Sequence, residues 1–314
     1  MYSSQSSLPI PPDDSLYDHE IGEFLAYLQQ EKRYSPLTIK AYHTDLRQFA
    51  DYLAGCECTR FAQVQGGDVR AWLVSLIGAG LSAVTLNRKI ASLKSFYRFL
   101  KKRKGLTRSP MTGVIAMRTS QRLPEFVERR GMELLLEELS FADDFPGCRD
   151  RCVLELLYST GIRRAELIAL KDKDIDWSNH HLRITGKGAR ERLVPMIPAL
   201  ENLLRQYIPV RDKAYTPNGF LIVSNTGRPA YPTLIQNIVG TYLKEITSLS
   251  RKSPHILRHT FATHLSNQGA PLNAIKELMG HSSLAATQIY THNTIARLQE
   301  VYRQCHPKAG DEGV

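Results

Sequence analysis

The sequence predicts a mainly helical protein in two domains: an N-terminal four-helix domain, then a C-terminal helix-rich domain that carries a small antiparallel β-sheet. Three observations lead there. Apolar residues recur at three- and four-residue spacing through most of the chain, one aperiodic stretch rich in Gly, Ser, Thr, Pro and Arg divides it, and two-residue alternation is confined to a short segment of the second half. A chain of 314 residues is long enough for two domains that each bury a core.

Residues 1–16, rich in Ser, Pro and Asp, read as a disordered tail. The first domain spans 17–104. Ile21, Phe24, Leu25 and Leu28 mark the apolar face of its first helix, ending near Gln30. Ser35 is a good N-cap with Pro36 at the first helical position, and Ile39, Tyr42, Leu46, Phe49 and Leu53 continue to Gly55. A third helix carries Val69, Trp72, Leu73, Leu76 and Ile77 and breaks at Gly78 and Gly80. Ser82 caps a fourth, in which Leu86, Ile90, Leu93 and Leu100 face inward while Arg88, Lys89, Lys94, Lys101, Lys102 and Arg103 form a basic outer stripe. Such a stripe is commonly just a solvated face, and lysines near a helix C-terminus suit its dipole in any case. Residues 105–124 have no sustained periodicity and read as a linker, its arginines able to run along a polyanion.

The second domain, 125–314, opens with a helix over Met132–Leu139 and another over Arg149–Ser159 that stops at Gly161. A third begins near Arg163, and Glu166, three residues on, can accept a hydrogen bond that fixes the guanidinium. His181–Thr185 and Glu191–Pro195 read as two strands joined by the Gly186-Lys187-Gly188 turn, with a third strand at Phe220–Val223 before Asn225-Thr-Gly. The remainder is helical, including Thr294–Gln304 with Ile295, Leu298 and Tyr302 on one face.

Bulk properties narrow the function. Lys plus Arg number 41 against 31 for Asp plus Glu, and a net charge of +10 favours a polyanionic partner without proving one. The five cysteines, Cys56, Cys58, Cys148, Cys152 and Cys305, have no paired zinc spacing and read as reduced thiols; Cys148 and Cys152, one turn apart, read as packing residues. No apolar run spans a bilayer and the N-terminus lacks a secretory signal, so a cytoplasmic, nucleoid-associated protein is expected.

The chemistry concentrates between Ser253 and Tyr290. Pro254 can open a helix, which puts His255 and Arg258 on one face, where an imidazole and a guanidinium can grip one anion. Phosphate suits the planar, permanently charged arginine fork. His281 adds a donor and Tyr290 a nucleophile, and together they make a metal-free phosphoryl-transfer site. His259 and His264 invite a zinc reading, but a third ligand is missing and Arg258 on the same turn would repel a cation, so neither is given any chemistry.

The segments His255-x-x-Arg258-His259, Leu278-Met-Gly-His281 and Ile289-Tyr290-Thr-His292, with Thr160-Gly-Ile-Arg163-Arg-Ala-Glu166-Leu and Thr185-Gly-Lys187-Gly-Ala-Arg-Glu-Arg192-Leu-Val-Pro upstream and Ala296-Arg-Leu downstream, resemble the catalytic half of tyrosine recombinases, most of all the Xer-type bacterial subgroup. The likeness covers most of residues 120–306 and extends to the first hundred only in general character. It implies a SAM-like core-binding domain at 17–104 and six catalytic residues: Arg163, Lys187, His255, Arg258, His281 and the nucleophile Tyr290, with Glu166 in support. It turns the basic stripe into a clamp on DNA phosphates, with Arg88, Lys89, Lys94, Arg190 and Arg192 as candidate contacts. The implied reaction cuts and rejoins DNA through a 3′-phosphotyrosine without metal, ATP or other cofactor, and there is no Gly-rich loop of the Walker type. The implied partners are double-stranded DNA with paired inverted half-sites and a tetramer of protomers on two duplexes, alike or shared with a paralogue, the C-terminal helix docking on a neighbour. Chromosome-dimer resolution, mobile-element integration and inversion all use such a site. A type IB-like topoisomerase and a catalytically silent DNA-binding protein are the competing readings.

Overall fold

A computed structural model describes residues 14–56, 58–119, 125–186, 190–280 and 292–308, with the side chains of 14–16 and 292–297 left aside. The chain forms two compact units, Met1–Arg122 and Leu123–Val314. No helix among the described residues is long and apolar enough to cross a membrane.

The first unit has four helices: α1 (Asp14–Gln30), α2 (Pro36–Ala54), α3 (Gly66–Gly78) and α4 (Ala83–Arg103). Ser35 and Ser82 cap α2 and α4, each hydroxyl accepting the N–H three residues on at 3.3 Å. Phe24, Phe49, Phe61, Trp72, Phe96 and Tyr97 fill the core between the helices, packed edge-on or tilted except for the stacked pair Phe49 and Phe61. Helix α1 starts at Asp14, inside the stretch expected to be a tail.

Two expectations for this unit are corrected. Lys89 is not on the outer stripe: it is 2% exposed and its ammonium sits 3.0 Å from Asp45 Oδ1 on α2. Arg88 and Ser92 donate to the other Asp45 oxygen at 2.5 and 2.8 Å. A buried carboxylate persists only when such donors surround it, so Lys89 is spent inside the helix bundle and is no free phosphate contact. Its position already encodes this, because Leu86, Lys89, Ile90 and Leu93 stand at the i, i+3, i+4, i+7 spacing of one face. The stretch after α4 is also less of a linker than its composition suggests. Met111 and Val114 are buried in this core, and Asn87 exchanges two hydrogen bonds with the Met117 backbone, at 2.9 and 2.7 Å.

The second unit is built around α6 (Phe145–Thr160), reached through α5 (Arg129–Glu133) and a π-helical turn, Leu134–Glu138. Cys152, Val153, Leu154, Leu156, Leu157 and Tyr158 are all at most 1% exposed, so α6 is buried on every side, as a helix apolar around its circumference must be. Against it pack α8 (Pro198–Ala214), α9 (Pro232–Ile246) and α10 (Pro254–Asn267). Between α7 (Arg164–Ala169) and α8 lies an antiparallel sheet in the order β1 (Ile175–Asp176), β2 (His181–Thr185), β3 (Glu191–Pro195). The third strand is thus β1, not Phe220–Val223, whose residues make only isolated bridges to Lys171 and Pro229. A two-residue strand is too short to show alternation, whereas Phe220–Val223 is apolar because it is buried. Helix α11 (Leu272–Met279) follows α10, and α12 (His292–Cys305) packs within its own unit. Leu298 and Tyr302 are buried there, and the Tyr302 hydroxyl donates to the Ser159 carbonyl. Helix α12 thus packs on α10, α11 and β3 of its own unit.

Candidate active site

Two guanidinium groups share one carboxylate, and a third, held by backbone carbonyls, lies within electrostatic reach of them. The site starts where α6 stops. Gly161 takes the left-handed conformation, φ 60°, that ends the helix and turns the chain toward Arg163. Arg163 then stands at the N-cap of α7. Its backbone N–H donates to Glu166 Oε2 at 2.8 Å and its Nη1 to Glu166 Oε1 at 2.9 Å, so one carboxylate both caps the helix and aims the side chain. Arg163 Nη2 reaches the Gly280 carbonyl at 3.2 Å, at the end of α11.

From β3, Arg192 lays a two-pronged fork on the same carboxylate, Nη1 to Oε1 at 3.0 Å and Nη2 to Oε2 at 2.8 Å, and its Nε donates to the Leu278 carbonyl at 2.8 Å. From α10, Arg258 donates to the Gly161 carbonyl through Nη1 and to the Met279 carbonyl through Nη2 at 2.6 Å. Carbonyls at helix C-termini are natural acceptors for arginine, because their partial charges are otherwise unsatisfied.

The electrostatics follow from the count. Among the described residues, these three cations stand near one anion, a surplus of two positive charges. Burial lowers the Arg258 pKa and repulsion from Arg163 and Arg192 adds to it against the pull of Glu166, bringing it to about 10; at neutral pH it stays charged. Burial works to raise the Glu166 pKa, but the hydrogen bonds and charges of Arg192 and Arg163 outweigh it and hold the carboxyl below the usual range. Arg163 retains 39% side-chain exposure while Glu166 and Arg192 are at 5 and 6%, so of these charges the Arg163 guanidinium is the one open to the outside, Arg258 being buried as well. What this arrangement can do is hold an anion with donors already fixed in place.

Of the residues singled out in the sequence, Arg163, Glu166 and Arg258 come together here. His255 is exposed on α10, one turn before Arg258. Lys187, His281 and Tyr290 lie outside the described residues. Arg192 is corrected: buried at 5% and fully engaged, it is not a DNA-contact side chain on the surface. The strand period carries the signal, since Arg192 and Val194 share a face with their cross-strand partners Ile184 and Leu182 and so point inward. Arg190 is exposed, Lys94 is half-buried, and Arg88 is exposed but tied to Asp45. His264 is turned into the core, where Nδ1 lies 3.0 Å from the Tyr158 hydroxyl and burial lowers its pKa. Among the described residues no group of three or more His, Cys, Asp or Glu is placed to hold a metal.

Gly161 is the position where a small change should be felt most. A Cβ there would lie 2.3 Å from Phe261 Cδ1, on the helix that carries Arg258, and φ is positive. The left-handed penalty costs ~1–2 kcal/mol and the overpacking ~1–3 kcal/mol. Gly161→Ala should therefore destabilise the protein by roughly 2–5 kcal/mol in urea unfolding. A loss below about 0.5 kcal/mol, the size of an ordinary surface change, would contradict this account of the turn.

Comparison with known proteins follows the same division of the chain. The model of the Phage integrase family matches residues 125–297, and that of the Phage integrase N-terminal SAM-like domain matches residues 21–104. Tyrosine recombinase XerC of Chlorobaculum parvum is 36% identical over 93% of this chain and 97% of its own length. That of Oceanobacillus iheyensis is 37% identical over 92% and 96%. Among solved structures, the XerH site-specific recombinase bound to a palindromic difH substrate superposes with a TM-score of 0.71 at 22% identity, covering 94% of this chain and 97% of that one. The Tn1549 transposon integrase in complex with circular-intermediate DNA gives 0.66 at 22% identity, covering 89% and 98%; at that identity the likeness is one of fold.

Proposed function

The chain belongs to the phage integrase family and is a site-specific tyrosine recombinase of the Xer type, and from that premise we propose how its residues divide the work of cutting and rejoining a DNA strand. A phosphodiester resists attack because its charge repels nucleophiles and its alkoxide leaves poorly. Arg163 and Arg258 bind the non-bridging oxygens and stabilise the charge that grows on them in the transition state, with His281 as a further donor. The observation that carries this reading is the surplus of two positive charges, preorganised by carbonyls and one carboxylate.

Tyr290 attacks phosphorus. Its phenol, with a reference pKa of about 10, gives up its proton to His255. Lys187 protonates the departing 5′ oxygen as general acid. The products are a 3′-phosphotyrosine and a free 5′ hydroxyl. Because the phosphotyrosine keeps the energy of the broken bond, a 5′ hydroxyl from a second duplex reverses the step at a new junction without ATP. The arginines supply the charge stabilisation that a metal would otherwise provide.

The helical unit over 17–104 clamps the duplex through Arg88 and Lys94, and Arg190 of the second unit is the other remaining candidate phosphate contact. The working assembly is a tetramer on two duplexes with inverted half-sites, of this chain alone or with a paralogue, acting in the cytoplasm at the nucleoid. Helix α12 exchanges its own-unit seat for one on a neighbour in that assembly. Dimer resolution, integration and inversion are outcomes of where the two sites lie.

The test is strand exchange between two labelled duplexes that carry the cognate site, in EDTA and without nucleotide. Recombinant joints that contain strands of both duplexes are the expected product. Relaxation of supercoiled DNA with no joints under any site arrangement would replace strand exchange with single-strand swivelling.

A further inference from the structure

We infer that Arg192 is a positioning residue for Arg163: it neutralises Glu166, so that the Arg163 charge stays available to the scissile phosphate, and it fixes both side-chain partners of Arg163. This rests on the assignment of Arg163 as a phosphate-binding catalytic residue.

Glu166 is the only carboxylate hydrogen-bonded to either Arg163 or Arg192 among the described residues, and the two arginines hold it unequally. Arg192 binds it end-on with two nitrogens on two oxygens, while Arg163 touches Oε1 with one side-chain nitrogen. The two-pronged pair is the stronger one, so the carboxylate charge is spent mainly on Arg192, which at 6% side-chain exposure is too buried to meet DNA itself. The other Arg163 partner, the Gly280 carbonyl, is also set by Arg192. Its Nε holds the Leu278 carbonyl two residues earlier, and a Cβ at Gly280 would lie 3.0 Å from its Nη1. Arg192 further stands second in β3, close to the bond from Gly186 N–H to the Arg190 carbonyl at 2.7 Å. One side chain thus ties three distant segments of the site together.

Without Arg192 the Glu166 carboxylate would turn wholly to Arg163, forming an internally neutral pair whose fork faces the protein instead of phosphate. The ground-state affinity for DNA, set by many backbone contacts, would change little. The rate of the chemical step would fall.

The experiment measures single-turnover cleavage of a nicked substrate at saturating protein, together with DNA affinity and thermal unfolding, for the parent, R163A, R192M, R192K and the double variant E166Q/R192M. R192M should cleave roughly 10–100-fold more slowly, the range seen when a residue that orients a ligand is removed, with affinity within a few-fold of the parent. E166Q/R192M should regain most of that loss, because removing the carboxylate frees Arg163; a purely structural role gives no such recovery at saturation. R192M cleaving within twofold of the parent, or a double variant no faster than R192M, overturns the inference. If R192M is unfolded, R192K carries the test, slower cleavage at parental affinity supporting the inference and parental cleavage overturning it. A normal rate for R163A would remove the premise and the inference together, whereas a slow R163A beside a normal R192M removes the inference alone.

Discussion

Tyr290→Phe is expected to abolish covalent capture of a nicked DNA substrate while leaving DNA affinity within a few-fold of the parent. On the proposed mechanism the substitution keeps the ring and deletes the one atom that bonds to phosphorus, so no phosphotyrosine can arise at any rate. Affinity is insulated from the change because it comes from many charge contacts along the backbone and not from the scissile phosphate alone. The measurement is a denaturing gel of protein–DNA adducts beside an equilibrium binding assay. Adducts formed by the phenylalanine variant in parental amounts would remove Tyr290 as nucleophile.

The second large effect is at Arg258. Removal of one preorganised donor from a developing oxyanion typically costs 10²–10³ in rate, and Arg258→Ala should slow single-turnover cleavage by roughly that factor. Its fork is held by the carbonyls of Gly161 and Met279, so in the parent it needs no reorganisation when charge grows on the phosphate. Arg258→Lys should recover only part of the rate, because an ammonium supplies the charge but cannot span both carbonyls and a phosphate oxygen. The alanine variant also relieves repulsion among the three guanidinium groups, so its stability is expected to hold better than its activity. A cleavage rate within a few-fold of the parent would take Arg258 out of the reaction.

Both predictions rest on residues the sequence singled out by type and spacing, and for the same reason the local architecture was legible. Ser35 and Ser82 cap helices where their hydroxyls meet free N–H groups, Pro254 opens α10, and Thr185 faces Glu191 across the hairpin, each a matter of a few adjacent residues. Two strands of the sheet could be read by alternation, while β1, with only two residues, left no period to read. The stretch after α4 looked like a linker because its composition is that of a loop, yet the burial of Met111 and Val114 depends on a helix face formed elsewhere.

By itself the sequence determined most of the helices with their caps and two of the three strands, and it proposed which side chains have the chemistry to cut DNA. Tertiary structure alone decided which charges are left over to do it. Periodicity places Lys89 and Arg192 on inward faces, but which anion meets each is settled only when folding brings Asp45, 44 residues away, and Glu166, 26 residues away, against them. The physical reason is one of range: caps, turns and periodicity are settled among neighbours in the chain, whereas the fate of a charge is set by whatever the fold packs beside it, and a buried cation survives only where an anion arrives to meet it.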